Sequence, residues 1–194
     1  MNRPMRSPPE PIPSRGRQSK RVAPAVTAAD APIAIVGAAC RLPGAADLEG
    51  FWSLLSQGRD AVTQIPADRF NQIPWLHPRR QEPGKTYTFA AGVLGPTAES
   101  VLGFDHAGFG LSPREAAEMD PQQRLILELV RESFEDAGWP EASLAGQNFG
   151  VYMGASTTDW GDLRQFDPPG ADRYMMTGAA LSIIANREIG RAHV

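Results

Sequence analysis

The sequence is poor in the residues that cross-link, coordinate or span. It holds a single cysteine, Cys40, so no internal disulfide can form and a reducing compartment is implied. Of its three histidines, His77 and His106 stand alone without ligand spacing and His193 lies in the last two residues, which excludes a metal centre. Long hydrophobic runs are absent as well. The longest, Ala31 to Cys40, falls far short of the roughly 20 residues that cross a bilayer. The basic N-terminus has no apolar segment behind it, which excludes a secretory signal. Nor is there an excess of positive charge: 19 Lys and Arg face 22 Asp and Glu, so nothing provides a footprint for nucleic acid. A cytoplasmic protein without membrane or nucleic-acid partners is expected. Its 42% hydrophobic and 21% charged content is that of an ordinary globular domain.

What is present is unevenly spread. Residues 1–30 carry six prolines and six basic side chains against only Glu10 and Asp30, and offer little apolar surface to offset their ordering entropy. They are expected to form a disordered, basic, Pro-rich leader. Order should begin near residue 31. Ile33-Ala34-Ile35-Val36-Gly37 is a short apolar run ending in glycine, the pattern of a strand buried on both faces. Leu48, Phe51, Trp52 and Leu55 then recur at helical spacing, with Asp47 ahead as N-cap and Gly58 behind as stop. This helix is expected to pack its apolar face on the sheet.

Residues 60–112 are broken by prolines and glycines and read as loops and short helices. A longer helix follows. Asp120 is placed to cap it, Pro121 suits its first position and Gln123 stands where a capping box places its glutamine. Ile126, Val130, Phe134 and Ala137 mark its apolar face, and Gly138 ends it. Phe149 to Gly154 reads as a second buried strand and Ala179 to Arg187 as a last helix. Strands alternating with helices make an α/β plan.

Three active-site patterns fail. After the first strand, a dinucleotide-binding turn needs a second glycine where Ala39 stands and a third where Leu42 stands. A nucleophile elbow at Ser156 needs a small residue two positions on, where Thr158 stands. Cys40 has no evident base nearby and reads as a small buried hydrophobe.

Seven segments, in order, nevertheless carry a resemblance. They are PIAIVGAACRLPG (Pro32–Gly44), FWSLLSQGRDAVTQIPADRF (Phe51–Phe70), GKTY (Gly84–Tyr87), FDHAGFGLSPREAAEMDPQQRLILEL (Phe104–Leu129), EDAGW (Glu135–Trp139), FGVYMGAST (Phe149–Thr157) and TGAALSIIANR (Thr177–Arg187). Together they resemble the N-terminal part of the ketosynthase domain, a β-ketoacyl synthase, of type I polyketide synthases. The stand-alone synthases and animal-type fatty acid synthase are weaker matches.

The resemblance implies a thiolase-like α/β fold with layers in the order α-β-α-β-α, of which residues 31–187 would be an incomplete N-terminal portion. It implies an acyltransferase reaction, decarboxylative Claisen condensation on a cysteine, with acyl and malonyl-type thioesters delivered on the phosphopantetheine arm of an acyl carrier protein. The complete protein would be a homodimer binding no cofactor of its own. No catalytic residue of the family maps onto this chain, whose pattern stops before the nucleophile and both catalytic histidines. The nearest functional positions are Tyr174, Met175, Met176 and Thr177, which the resemblance places at the acyl pocket and dimer contact; flexible methionines suit an apolar wall. Residues 188–194 depart from the family pattern and are expected to be a non-native tail. The alternative is a non-catalytic protein that binds a carrier or pairs with a full synthase.

Overall fold

The computed structural model describes residues 32–69, 71–95, 97, 99–140, 143–165 and 173–192. The expected leader, residues 1–30, lies outside them. Met1–Ala34 and Ile35–Val194 are separate units, and the second carries all the regular structure described here.

The first helix among the described residues, α1 (Leu48–Ser56), starts where expected: the Asp47 carboxylate accepts from the Gly50 N–H at 2.7 Å, and Gly58 follows with a positive φ of 62°. Its expected apolar face is not packed, however. Trp52 is 70% exposed, and Leu48 and Leu55 also face outward. The side turned inward carries Phe51 and Leu54, both half-buried. The sheet this helix was to cover does not form. Pro32–Arg41 and Gln147–Thr158 have no regular structure, and Ile35 is 89% and Tyr152 94% exposed. A strand is held by hydrogen bonds to its neighbours, and among the described residues neither segment has one.

The loop-rich stretch contains one feature not expected, a two-stranded antiparallel ribbon. β1 (Val62–Gln64) pairs with β2 (Ala90–Gly92) in the register Val62 to Gly92. Between them the His77 N–H donates to Thr86 O at 2.8 Å, and Lys85 Nζ to Pro74 O at 2.6 Å, tying the excursion's ends together. The short helix α2 (Glu99–Leu102) follows.

The buried centre lies among the later helices. α3 (Pro113–Glu118) begins at Ser112, whose hydroxyl accepts from the Glu115 N–H at 3.1 Å. α4 (Pro121–Asp136) begins at Asp120, which accepts from the Gln122 N–H at 2.8 Å. α5 (Asp159–Gln165) and α6 (Met175–Ala179) lead to α7 (Ile183–Ala192). The last helix is thus divided: the expected start at Ala179 is the end of α6, and α7 runs past Arg187 to Ala192. Buried apolar side chains are Met119, Leu127, Ile184 and Ala116 in this cluster, with Ala45 outside it. On α4 the buried positions are Gln123, Arg124 and Leu127, while the expected face (Ile126, Val130, Phe134, Ala137) is only half-buried. α3, α6 and α7 meet at the first turns of α4 through hydrogen bonds around Asp120, Gln123 and Arg124, whereas an open groove runs along its later turns.

The other flank of α4 is held by charge. Arg41 makes a two-pronged pair with Glu132, and the Asp136 carboxylate accepts from the Ala38 N–H at 3.0 Å. Glu128 lies beside them. Burial pushes its carboxyl above the usual range, partly countered by the Arg41 charge, and Glu132 adds to the rise. An acid whose folded pKa is raised contributes its stability while protonated and loses it as pH climbs through the folded value. At neutral pH the ionised Glu128 therefore costs stability. Glu128→Gln should raise the melting temperature at pH 7 by roughly 1–3 °C. That gain should vanish below about pH 4, where the unfolded carboxyl is also protonated; thermal melts at the two pH values check it.

Candidate functional site

The four expected positions, Tyr174 to Thr177, fall together at the start of α6. Tyr174 caps the helix through its backbone alone: Tyr174 O accepts from the Gly178 N–H at 2.7 Å and the Thr177 hydroxyl at 3.1 Å. Arg173 donates to the Tyr174 hydroxyl at 2.7 Å, and its guanidinium lies 4.7 Å from the ring centroid. Met175 is half-buried and Met176 is 72% exposed. Tyr174 and Thr177 line a cleft of about 400 Å³ with Glu115, Ile183, Asn186 and Arg187, and the two methionines do not. The methionines lie outside that cleft, Met175 half-buried and Met176 at the exposed edge of α6.

A five-residue helix cannot hold itself in water. α6 is held by what lies beneath it. Gly178 is buried, and its carbonyl accepts from the Asp120 N–H at 2.9 Å and from Gln123 Nε2 at 2.8 Å. Gln123 Nε2 also lies 3.2 Å from Thr177 O and 3.3 Å from Ala180 O. Its Oε1 accepts from Arg187 Nε at 2.9 Å, and Arg187 Nη1 reaches Glu115 Oε1 at 2.8 Å. The capping box expected of Gln123 is therefore not made, because the Asp120 N–H it would have taken goes to Gly178. Gln123, Glu115 and Arg187 were not expected as site residues. The one sequence signal was polar identity at buried helical spacing, which capping explained equally well.

Arg124, the next residue, is buried and closes the layer below. It donates through Nε to Met119 O at 3.0 Å and through Nη1 to Leu102 O at 2.7 Å. Burial lowers its pKa, and Asp120 opposes the fall. From α5, Arg164 pairs with Glu118 and Trp160 Nε1 donates to Glu118 O at 2.9 Å, so the α3–α4 junction is pinned on both sides.

A second, apolar groove of about 420 Å³ runs along α4, where Leu127, Val130, Phe134, Trp139, Phe149 and Val151 line it. Phe134, Trp139 and Phe149 form a three-ring cluster with centroids 5.9–6.3 Å apart.

The other positions weighed in the sequence are structural. His77 Nδ1 accepts from the Arg79 N–H at 3.1 Å, and His106 Nδ1 lies 3.0 Å from Leu111 O. Cys40 is a free thiol, half-buried and not fully buried as expected. Ser156 is exposed beside Thr157, whose φ is +70°. Among the described residues, no three His, Cys, Asp or Glu gather as metal ligands, and no helix is long and apolar enough to cross a membrane.

These elements are a portion of the thiolase-like α/β fold. A ketosynthase domain of the oxazolomycin synthase of Streptomyces albus JA3453 superposes with a TM-score of 0.69 at 34% identity, covering 81% of this chain and 27% of that one. The ketosynthase from module 6 of the bacillaene synthase of Bacillus subtilis 168 gives 0.65 at 29% identity, covering 82% and 24%. The family described as "Beta-ketoacyl synthase, N-terminal domain" matches residues 30–188, and the chain belongs to it. Curated relatives include a highly reducing polyketide synthase of Pyrenophora dematioidea, 45% identical over 159 residues, and the polyketide synthase GfsB of Streptomyces halstedii, 44% identical over 164 residues. The chain spans 6% and 3% of their lengths, while 80% and 84% of it is covered.

A Cβ added at Gly178 would lie 2.2 Å from Glu118 O and 2.7 Å from its carbonyl carbon, so the helix could not stay where it is. Gly178→Ala should destabilise the chain by about 3 kcal/mol through overpacking against backbone. Gly138→Ala, at φ +70° but with no atom within 4 Å of the new methyl, should cost only the left-handed strain of about 1 kcal/mol. Urea denaturation of the two variants checks the difference, and equal losses would refute the close approach.

Proposed function

We propose that this chain supplies the front part of a β-ketoacyl-[acyl carrier protein] synthase of the polyketide type. The observation that carries the reading is the family match across residues 30–188, together with 44–45% identity to polyketide synthases over that stretch. The reaction is decarboxylative condensation. An acyl group passes from a carrier's phosphopantetheine thiol to a cysteine thiolate, and a malonyl-type thioester loses carbon dioxide. The resulting carbanion attacks the acyl-cysteine carbonyl, and the thiolate leaves as a β-ketoacyl thioester forms. Two histidines assist decarboxylation and a backbone oxyanion hole steadies the carbonyl oxygen.

Within this chain the reading gives α6 an acyl-facing role, with Met175 and Met176 as the wall of the chain's pocket and Tyr174 to Thr177 at the dimer contact. The nucleophile lies in sequence other than these 194 residues: the single cysteine, Cys40, is a half-buried free thiol whose carbonyl accepts from Arg41 at 3.1 Å, a cation that cannot serve as its base. The partners are an acyl carrier protein and a second copy of the complete synthase, in the cytoplasm. The same lone cysteine favours a second reading for the chain by itself, a non-catalytic protein that binds a carrier or pairs with a full synthase.

The test begins at the source DNA, read through the codon for Arg187. The frame is expected to continue into a segment bearing a second cysteine, and the protein made from it should convert acyl- and malonyl-carrier substrates to a β-ketoacyl product. Changing that cysteine to alanine should abolish the product. The 194-residue chain alone should give none above background; product from it would overturn the assignment of the nucleophile to other sequence.

A further inference from the structure

α6 ends at Ala179; its C-cap Ala180, with a ψ of 121°, leaves the helix, and α7 starts three residues on from that cap. The last carbonyls of any helix lack N–H partners within it and must find donors elsewhere. Here Gly178 O takes the Asp120 N–H and Ala180 O the Ile183 N–H, and one side chain on another helix donates to both and to Thr177 O. Gln123, 2% exposed, presents the two protons of its amide to the carbonyls of Thr177, Gly178 and Ala180.

An amide can be turned end for end at little steric cost, so something must decide which end faces α6. Arg187 decides it. A guanidinium only donates, so the Nε at 2.9 Å can be met only by the amide oxygen, and the NH2 end is forced toward α6. Glu115 holds Arg187 in turn at 2.8 Å, with the two side chains 21% and 12% exposed. The charge of Glu115 thus orients a guanidinium, the guanidinium orients an amide, and the amide terminates a helix. Each link polarises the next in a poorly solvated site.

We propose that Gln123 is a positioning residue for the Met175–Met176 edge. Its amide, oriented by Arg187 and Glu115, caps α6 from outside and sets the break between α6 and α7, and so the place where the two methionines meet an acyl chain. The proposal rests on the acyl-wall reading of α6 for its function, but the capping itself is independent of that reading. Asp120 shares the Gly178 carbonyl, so losing Gln123 loosens the end of α6 without unfolding α4.

The test uses the full chain, unaltered and as Gln123→Glu and Gln123→Met. Glutamate keeps the size and the acceptor for Arg187 but has no proton for the three carbonyls; methionine keeps the size alone. Two readouts are taken on each. Residue-resolved hydrogen exchange follows the Gly178 and Ala180 amides, which bond to Tyr174 O and Met176 O, against the Ile126–Val130 amides of α4. Photo-crosslinking with a diazirine-bearing decanoyl-pantetheine thioether maps label within Tyr174–Thr177 by mass spectrometry.

In both variants the two α6 amides should exchange about tenfold faster, equivalent to 1.4 kcal/mol, while α4 stays protected and labelling falls by a similar factor. Unchanged α6 exchange, or α4 loosening as much as α6, overturns the positioning role. Faster α6 exchange with undiminished labelling overturns the link to the acyl edge. If the unaltered chain takes no label within Tyr174–Thr177, the acyl-wall reading fails, and the exchange readout still decides whether Gln123 caps α6.

Discussion

A buried amide has donors on one end and an acceptor on the other, and both ends must be matched or the burial is costly. Gln123 meets that demand by joining three pieces of chain that are distant in sequence: the start of α4, the α6–α7 break more than 50 residues later, and Arg187 on α7. The rest of the helical cluster is arranged around this side chain. Gly178 has no side chain because α6 lies against the carbonyl of Glu118. Asp120 turns its own N–H to Gly178, and Ile184 and Met119 fill the space beside the polar layer. Arg124 repeats the device a turn away, its guanidinium protons taking up the Met119 and Leu102 carbonyls, while Arg164 pairs with the Glu118 carboxylate. The centre of the molecule is thus as polar as it is apolar, and its specificity is a matter of matched donors more than of packed volume.

Local signals were legible and long-range ones were not. Asp47, Asp120, Pro121 and Gly138 announced the limits of α1 and α4 because capping is settled within four residues of chain. The Ser112-Pro113-x-Glu115 start of α3 carried the same kind of signal, but residues 113–119, between the loops and short helices of 60–112 and the helix at Asp120, were assigned no element. The division of the last helix was illegible for a different reason. Nothing between Ala179 and Ser182 breaks a helix by composition, and the interruption comes from donors on α4. Glu115, Gln123 and Arg187 look like ordinary solvated residues in sequence, and only the fold brings them together. The candidate positions Tyr174 to Thr177 came from family resemblance alone, and the structure gathers them at the start of one short helix.

The two apolar runs at Ile33–Gly37 and Phe149–Gly154 show how a strand signal and a strand differ. Both have the composition of buried strands, yet Ile35 and Tyr152 stand almost fully exposed and neither run is paired among the described residues. Periodicity reports what a segment can bury; a sheet also needs neighbours to take its N–H and C=O groups. The solved ketosynthases are about four times as long as the stretch they share with this chain. The unpacked side of α1, the exposed run at Ile35 and the groove along α4 are apolar surfaces of the kind that further chain covers.

The polar cluster and the apolar groove lie on different parts of α4, and that separation has a physical consequence. Leu127, Val130 and Phe134 face the groove, where contacts are non-directional and tolerate a change of occupant. Gln123 and Arg124, a turn earlier, are held by hydrogen bonds that tolerate very little. Change in what covers the groove therefore acts on the half of α4 that can absorb it, while the position of α6 is set by the half that cannot. A short helix that must keep a constant place is best tied to the directional end of such a partner. Met175 and Met176 are tied there through Gly178 and Gln123.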